Sequence, residues 1–277
     1  MEIPPGVSDV IRRALEEDIG SGDITSILII PQKSRSRAAF IAKADFILAG
    51  IPFSREVFRQ LDSRVTLKAF FKEGAAVRRN DVIAEVSAKT RSILAGERVS
   101  LNILQRLSGI ATLTRMFVDR ISGTKAKILD TRKTTPCQRF MEKYAVRIGG
   151  GYNHRFGLFD GILIKDNHIK SAGNIRKAVE CARHGHHLLK IEVEVGNLRD
   201  LERAIEAGAD IVMLDNMSLE KMRDAVETAG GRVLLEASGG IMLENVRQVA
   251  ETGVDLISIG ALTHSAVAAD ISLNIID

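Results

Sequence analysis

From Lys127 to near the end of the chain, short apolar runs alternate with stretches of helical periodicity, and the connections between them are short. The runs are 127–130 (KILD), 161–165 (GILIK), 190–195 (KIEVEV), 210–215 (DIVMLD), 233–237 (VLLEA) and 255–259 (DLISI). Between the last four lie LRDLERAIEAGA, LEKMRDAVETAG and LENVRQVAETGV, apolar at three- and four-residue steps and closed near their ends by glycine. Strands joined through helices pair in parallel, and a parallel sheet must be covered by those helices. Six such units predict an α/β fold, an incomplete (open) parallel α/β barrel. An open dinucleotide-binding sheet fits less well, because no G-x-G-x-x-G opens a helix after the first strand.

The N-terminal part follows a different rhythm. Residues 7–18 read as a helix with Ser8 as N-cap and Val10, Ile11, Ala14 and Leu15 on one face. Gly20, Ser21, Gly22 and Asp23 break it. Residues 36–50 alternate as strands, a helix follows near 53–62, and VTLKAFFKEGAAVRRNDVIAEVSA reads strand, turn, strand. These elements predict an N-terminal α/β sandwich domain over 1–108 ahead of a barrel domain over 109–265, and 266–277 is expected to return to the first. Residues 92–121 are helical in period, and Gly109 is expected to divide them into two helices at the domain junction.

Composition removes several classes of function. The net charge of +4 is small, and with no Trp, two Tyr and 4% aromatic residues the chain lacks stacking platforms for nucleic acid. Cys137 and Cys181 have neither metal nor redox spacing and build no disulfide framework. No apolar run approaches membrane-spanning length, and the first residues lack a signal pattern. A cytoplasmic protein with no membrane partner is the expectation.

Chemistry concentrates between the first two strands. The first strand stops at Asp130, Thr131, Arg132 and Lys133, and the second at Lys165, Asp166, Asn167 and His168. From Arg132 to Lys165 there are seven Lys or Arg against two acids, with His154 among them. Guanidinium forks and ammonium groups at strand ends suit a small, multiply anionic ligand, whereas a charge run elsewhere is usually a solvated face.

In KIEVEV, period 2 places Glu192 and Glu194 on one face, inward in a barrel, where Lys165 and Lys133 could partner them. Asp215 ends the next strand. Glu194 and Asp215 together could bind a divalent cation, bind sugar hydroxyls, stabilise a developing cation, or form a structural ion-pair network. Two small-residue turns follow later strands: Ser238, Gly239 and Gly240, then Ile259, Gly260 and Ala261. Backbone N–H groups at the last two turns of a barrel commonly hold a phosphate. His184, His186 and His187 have no acid or cysteine to complete a metal site and read as a connector. Lys165 could also form a Schiff base, although that chemistry leaves the arginines and phosphate turns unused.

The motifs ERVSLNILQRLSGIATLT, LDTRKTTP, EKYAVRIGGGYNHRFGLFDGILIKDNHI, IEVEV, IVMLDNM, LEASGGI and ISIGALTHS closely resemble the quinolinate phosphoribosyltransferase family, the carboxylating nicotinate-nucleotide pyrophosphorylases. The resemblance runs over nearly the whole chain. It implies transfer of a phosphoribosyl group from phosphoribosyl pyrophosphate to quinolinate with Mg2+, giving nicotinate mononucleotide, pyrophosphate and CO2. It implies homodimers, or a higher oligomer built from them, with each active site completed by the neighbouring subunit. Arg132, His154 and Arg155 would hold the quinolinate carboxylates beside Thr131, with Arg98 reaching in from the partner. Lys133 and Lys165 would sit between the two substrates. Glu194 and Asp215 would bind the ribose hydroxyls and, directly or through water, the metal. The turns at 238–240 and 259–261 would hold the 5′-phosphate. Cys137 departs from the family pattern, which has glycine after TTP. A ligand-binding regulator that kept the barrel without its chemistry is the non-enzyme alternative, and the retained Arg132, Lys133, Lys165, Glu194 and Asp215 argue against it.

Overall fold

In the computed structural model, which describes residues 3–276, the chain divides into two compact units. The first comprises Met1–Arg115, Thr134–Gly150 and Thr263–Asp277, the second Met116–Lys133 and Gly151–Leu262. The chain opens with helices α1 (Pro5–Ile19) and α2 (Ile24–Ile29), strands β1 (Arg35–Ala42) and β2 (Phe46–Ile47), and helix α3 (Ile51–Leu61). Strands β3 (Thr66–Ala69), β4 (Ala76–Val77) and β5 (Val82–Lys89) precede the long helix α4 (Thr90–Arg120). Then come β6 (Lys127–Leu129), α5 (Arg139–Ile148), β7 (Ile162–Ile164), α6 (Asp166–Ala172), α7 (Ile175–Gly185) and β8 (Ile191–Val195). Helix α8 (Leu198–Glu206), β9 (Ile211–Asp215), α9 (Leu219–Ala229), β10 (Leu234–Ser238) and α10 (Val246–Glu251) continue the alternation. The chain closes with β11 (Leu256–Ser258), α11 (Ala261–His264) and β12 (Ile271–Ile275).

The first unit is built on an antiparallel sheet in the order β12-β1-β5-β3, with a two-stranded ribbon of β2 and β4. Phe40, Leu48, Phe58, Ile83, Ile93 and Leu104 are buried in its core, where Phe40 meets Phe58 edge-on at 6.2 Å between centroids. Burying a side chain of this size contributes about 1.5–3 kcal/mol. Pro5 starts α1 at a position where its missing N–H costs nothing, and Val7, Ile11 and Leu15 are buried at steps of four. Ser8 is therefore not the N-cap expected from the sequence. It lies inside the helix, and its hydroxyl donates to Glu56 Oε1 on α3 at 2.6 Å. The Arg59 guanidinium, bonded to Glu56, holds that carboxyl down to about 2, with Ser8 and Gln60 assisting. The polar break after Gly20 contains a further short helix, α2, capped by the Asp23 carboxylate on Ser26 N at 3.0 Å.

Helix α4 is continuous, contrary to the expected break at Gly109. The carbonyl of Val267 and the backbone of Ala268 lie where a side chain at residue 109 would stand. Glycine serves close backbone approach here, and one glycine in a 31-residue helix leaves its neighbouring hydrogen bonds intact. Arg106, on the same helix, pairs with the wholly buried Glu142 of α5 at 3.0 Å, and Glu142 also accepts from Thr135 N and Oγ1. Glu73 accepts from Gly50 N, Ile51 N and the Tyr144 hydroxyl, which joins the start of α3 to α5.

The second unit is a parallel six-stranded sheet in the order β6-β11-β10-β9-β8-β7. No hydrogen-bonded ladder joins β6 to β7, so the barrel is open. Asn174, Asn197 and Ser218 cap α7, α8 and α9 by accepting the backbone N–H three residues on, which ends each strand connection sharply. The observed strands agree with the six runs read from the sequence within a residue or two at each end. Among the described residues no helix is long and apolar enough to cross a membrane.

Candidate active site

Because all six strands run in parallel, their C-terminal ends emerge at one edge of the sheet. Thr131, Arg132 and Lys133 leave β6 after Asp130, Lys165 leaves β7, Glu194 is the penultimate residue of β8, and Asp215 ends β9. Ser238 ends β10, and Ile259, Gly260 and Ala261 follow β11. Every site residue drawn from the barrel sequence thus falls on this edge, except His154 and Arg155. Those two sit on the loop from α5 to β7, which is bound to β6: Tyr152 N donates to Ile128 O at 2.8 Å and Asp130 N to Tyr152 O at 3.1 Å.

The basic side of the edge is tightly built. The buried Asp130 carboxylate accepts from His154 N at 2.8 Å and from Asn153 Nδ2 at 2.5 Å. Arg155 donates through Nη1 to Gly161 O at 2.9 Å, and Asp160 turns the loop by accepting from Phe156 N and Gly157 N. Burial and then the positive charge of Arg132 draw the Arg155 guanidinium below its ordinary value. Glu192 and Asp160 offset part of that effect, and an anionic ligand beside the two guanidiniums would offset more. Lys133 is exposed, with its N–H on Thr131 Oγ1 at 3.0 Å.

On the acidic side, Glu194 Oε2 accepts from Lys165 Nζ at 2.5 Å. In the ladder Glu194 lies opposite Met213, so Asp215 shares its face one step nearer the strand end. Asp215 Oδ2 accepts from Asn216 Nδ2 at 3.0 Å. Each carboxylate therefore has its second oxygen without a hydrogen bond among the described residues. Two hard oxygen donors at a solvent-reachable strand edge match what Mg2+ takes from proteins, one or two carboxylates completed by waters and phosphates.

Glu192 meets neither lysine. It lies two residues deeper than Glu194, within the sheet interior, and its Oε2 faces His154 Nε2 at 2.9 Å. Glu236 of β10 stands 3.8 Å from the same nitrogen. Among the described residues, these three form the group whose ligating atoms lie within 4.8 Å of one another. Burial, then the Glu192 carboxylate, push the Glu236 carboxyl up to about 8. Sequence reasoning passed over Glu236, although an acid in the apolar run LLEA of a parallel strand is itself a signal. It also gave Asp130 no role.

The two small-residue turns sit on adjacent strands. Gly239 and Gly240 have φ of 93° and 62°, and the Asn216 side chain occupies the space a Cβ on Gly239 would need. Only glycine meets both demands. Asn216 N donates to Ser238 O, and Ile259 N to Leu129 O, so both turns are tied to a neighbouring strand. Arg98 is placed in the first unit, exposed on α4, beside Glu17, Asp18, Asn102 and Gln138. It makes no hydrogen bond or ion pair among the described residues.

Residues 23–108 match the sequence profile of the quinolinate phosphoribosyl transferase N-terminal domain, and residues 110–274 that of the C-terminal domain. The chain is 47% identical over 260 residues to a probable nicotinate-nucleotide pyrophosphorylase (carboxylating) of Bacillus subtilis, covering 94% of this chain and 90% of that protein. A chloroplastic enzyme of the same name from Arabidopsis thaliana is 42% identical, with 96% and 82% covered. Among solved structures, nicotinate-nucleotide pyrophosphorylase from Francisella tularensis superposes with a TM-score of 0.95 at 46% identity, over 99% of this chain and 98% of that one. NadC from Streptococcus pyogenes gives 0.94 at 40% identity over the whole of both chains.

Proposed function

The chain belongs to the quinolinate phosphoribosyltransferase family, and from that premise we propose that it transfers the phosphoribosyl group of phosphoribosyl pyrophosphate to the ring nitrogen of quinolinate. Pyrophosphate and CO2 leave, and nicotinate mononucleotide is formed for NAD synthesis. The observation that carries this reading is the electrostatic coupling of Arg155, on the loop bound to β6, to Arg132 just beyond the end of that strand, in the same sheet whose β7 and β8 ends carry the Lys165–Glu194 pair.

The division of labour follows from charge. Arg132 and Arg155, with His154 and Thr131 beside them, clamp the two carboxylates of the acceptor. Lys133 and Lys165 lie toward the diphosphate of the donor. As the bond from C1′ to pyrophosphate breaks, the ribosyl ring gains positive charge, which Glu194 and Asp215 oppose while they hold the ribose hydroxyls. The ring nitrogen of quinolinate carries its own lone pair and needs no general base. Once ribosylated, the ring is a pyridinium whose positive nitrogen stabilises the carbanion left at C2 when the 2-carboxylate departs as CO2, and a proton from water then fills C2. The protein therefore supplies orientation and charge, and few acid–base groups. Backbone N–H groups at 238–240 and 259–261 take the 5′-phosphate.

Glu194 and Asp215 would hold Mg2+, directly or through water. When bound, that ion neutralises charge on the departing diphosphate. A homodimer, or an assembly of dimers, brings Arg98 of the partner subunit to each site. The exposure of Arg98 and its lack of a hydrogen bond or ion pair among the described residues support that role. The unpaired, exposed Cys137 and Cys181 favour a reducing, cytoplasmic setting. The test is an assay with phosphoribosyl pyrophosphate and Mg2+, offering quinolinate and then nicotinate while nucleotide and CO2 are followed. Absence of both products with quinolinate would reject the assignment.

A further inference from the structure

Beneath the proposed carboxylate clamp lies a buried group whose protons can be placed. Arg155 N–H donates to His154 Nδ1 at 2.8 Å, so that nitrogen carries the lone pair and Nε2 carries the hydrogen. His154 is then a neutral imidazole whose Nε2–H donates to Glu192 Oε2 at 2.9 Å. That tautomer leaves no ring lone pair facing the two carboxyl groups, which argues against reading the trio as a metal centre. The difficulty moves to the acids. Glu192 and Glu236 are 5% and 1% exposed, and the Oε1 atom of each is buried without a partner. Two ionised carboxylates in such a place would repel each other across a neutral imidazole, with the Arg155 guanidinium the cation set against Glu192. A proton on one acid removes a charge and supplies a donor to the other.

We propose that Glu236 is a positioning residue: it stays an un-ionised carboxylic acid that donates to Glu192, which accepts from His154 Nε2–H and so fixes the ring and, through His154 Nδ1, the backbone of Arg155. The assignment rests on the quinolinate reading for its consequence, the aim of Arg155 at the acceptor, and on geometry alone for the proton. Asp130 holds the same loop from the other side through His154 N and Asn153 Nδ2, so the ring and the backbone of this segment are pinned separately. Glu236 itself touches no substrate. Loss of its proton would turn the ring and spoil the clamp without removing a clamp residue.

The experiment uses the full-length protein and three readouts. The proton is read by the infrared carbonyl band of a buried, un-ionised acid near neutral pH, which should be present in wild type and absent in Glu236→Gln. The tautomer is read by 15N NMR of His154, expected as neutral Nε2–H in wild type and Glu236→Gln. The consequence is read by kinetics. Glu236→Gln, which keeps a neutral donor, should hold KM for quinolinate within about threefold of wild type, whereas Glu236→Leu, which has none, should raise it about tenfold or more. KM for phosphoribosyl pyrophosphate should move little in either. Three results would each overturn the proposal: no acid band assignable to Glu236, a His154 tautomer other than Nε2–H, or Glu236→Gln as damaging as Glu236→Leu. If Glu236→Leu does not fold, the infrared and NMR measurements on wild type and Glu236→Gln still decide. If quinolinate is not a substrate, only the kinetic arm fails, and the proton and tautomer assignments stand or fall on the spectra.

Discussion

The Arg155 guanidinium, drawn down by burial and then by the positive charge of Arg132, is partly offset by Glu192 and Asp160, while Asp130, Asp160 and Gly161 fix the loop that carries it. Such an arrangement is relieved by an anionic ligand. A site with this many donors should discriminate against an acceptor that lacks one carboxylate, because the charge-assisted bonds to that group are lost. Nicotinate should therefore turn over at least about a hundredfold less efficiently than quinolinate, and Arg155→Lys should lose about ten- to a hundredfold in kcat/KM for quinolinate. Comparable turnover of the two acceptors would refute the clamp.

The Asp215 carboxylate, with Asn216 on one oxygen, is assigned to ribosyl transfer and metal. Asp215→Asn should lower kcat by about a hundredfold or more with an unchanged melting temperature. A lower melting temperature with near-normal kcat in the folded fraction would make Asp215 a structural residue instead.

Arg98 and Lys133 should act in the same site from different chains. Mixing inactive Arg98→Ala with inactive Lys133→Ala subunits leaves one intact site per heterodimer, so activity should recover to about a quarter of wild type at random equal mixing. No recovery, with subunit exchange shown by mass spectrometry, would place Arg98 in the site of its own chain or in none.

Cys137 occupies the position where the family pattern has glycine, and its φ of 64° explains that preference. An L-residue is disfavoured there by about 1–2 kcal/mol, partly offset by the greater entropy glycine loses on folding. Cys137→Gly should stabilise the protein by about 0.5–1 kcal/mol, read by denaturant unfolding. A destabilised variant would mean that the thiol makes a contribution the backbone does not reveal.

Glu236 also predicts a pH dependence of stability. Its folded value of about 8 is above the ordinary carboxyl value of 4.5, with Glu192 and His154 the titratable groups facing it. Between those values the folded state holds a proton that the unfolded state has released, so this contribution is full below about 4.5 and declines as pH rises through about 8. Melting curves from pH 5 to 8.5 should fall less steeply for Glu236→Gln than for wild type. Parallel slopes would show that Glu236 ionises normally.

The sequence by itself determined the parallel open barrel, its six strands and the edge where the chemistry sits. Those properties are written in local order: alternation of two periods sets element type, and a charged residue closing an apolar run must surface where the strand ends. Glu194, Asp215 and Lys165 were legible for that reason. Tertiary structure alone decided what the same residue types do when neighbours arrive from far along the chain. Gly109 looked like a helix break and proved to be the place where the Val267 backbone comes in. Ser8 looked like a cap and proved to be a bond to Glu56. His154, Glu192 and Glu236 come from one loop and two non-adjacent strands, and only the sheet's strand order and inward-facing register bring them together. Burial then sets their protons, because the cost of a charge depends on surroundings that no local pattern contains.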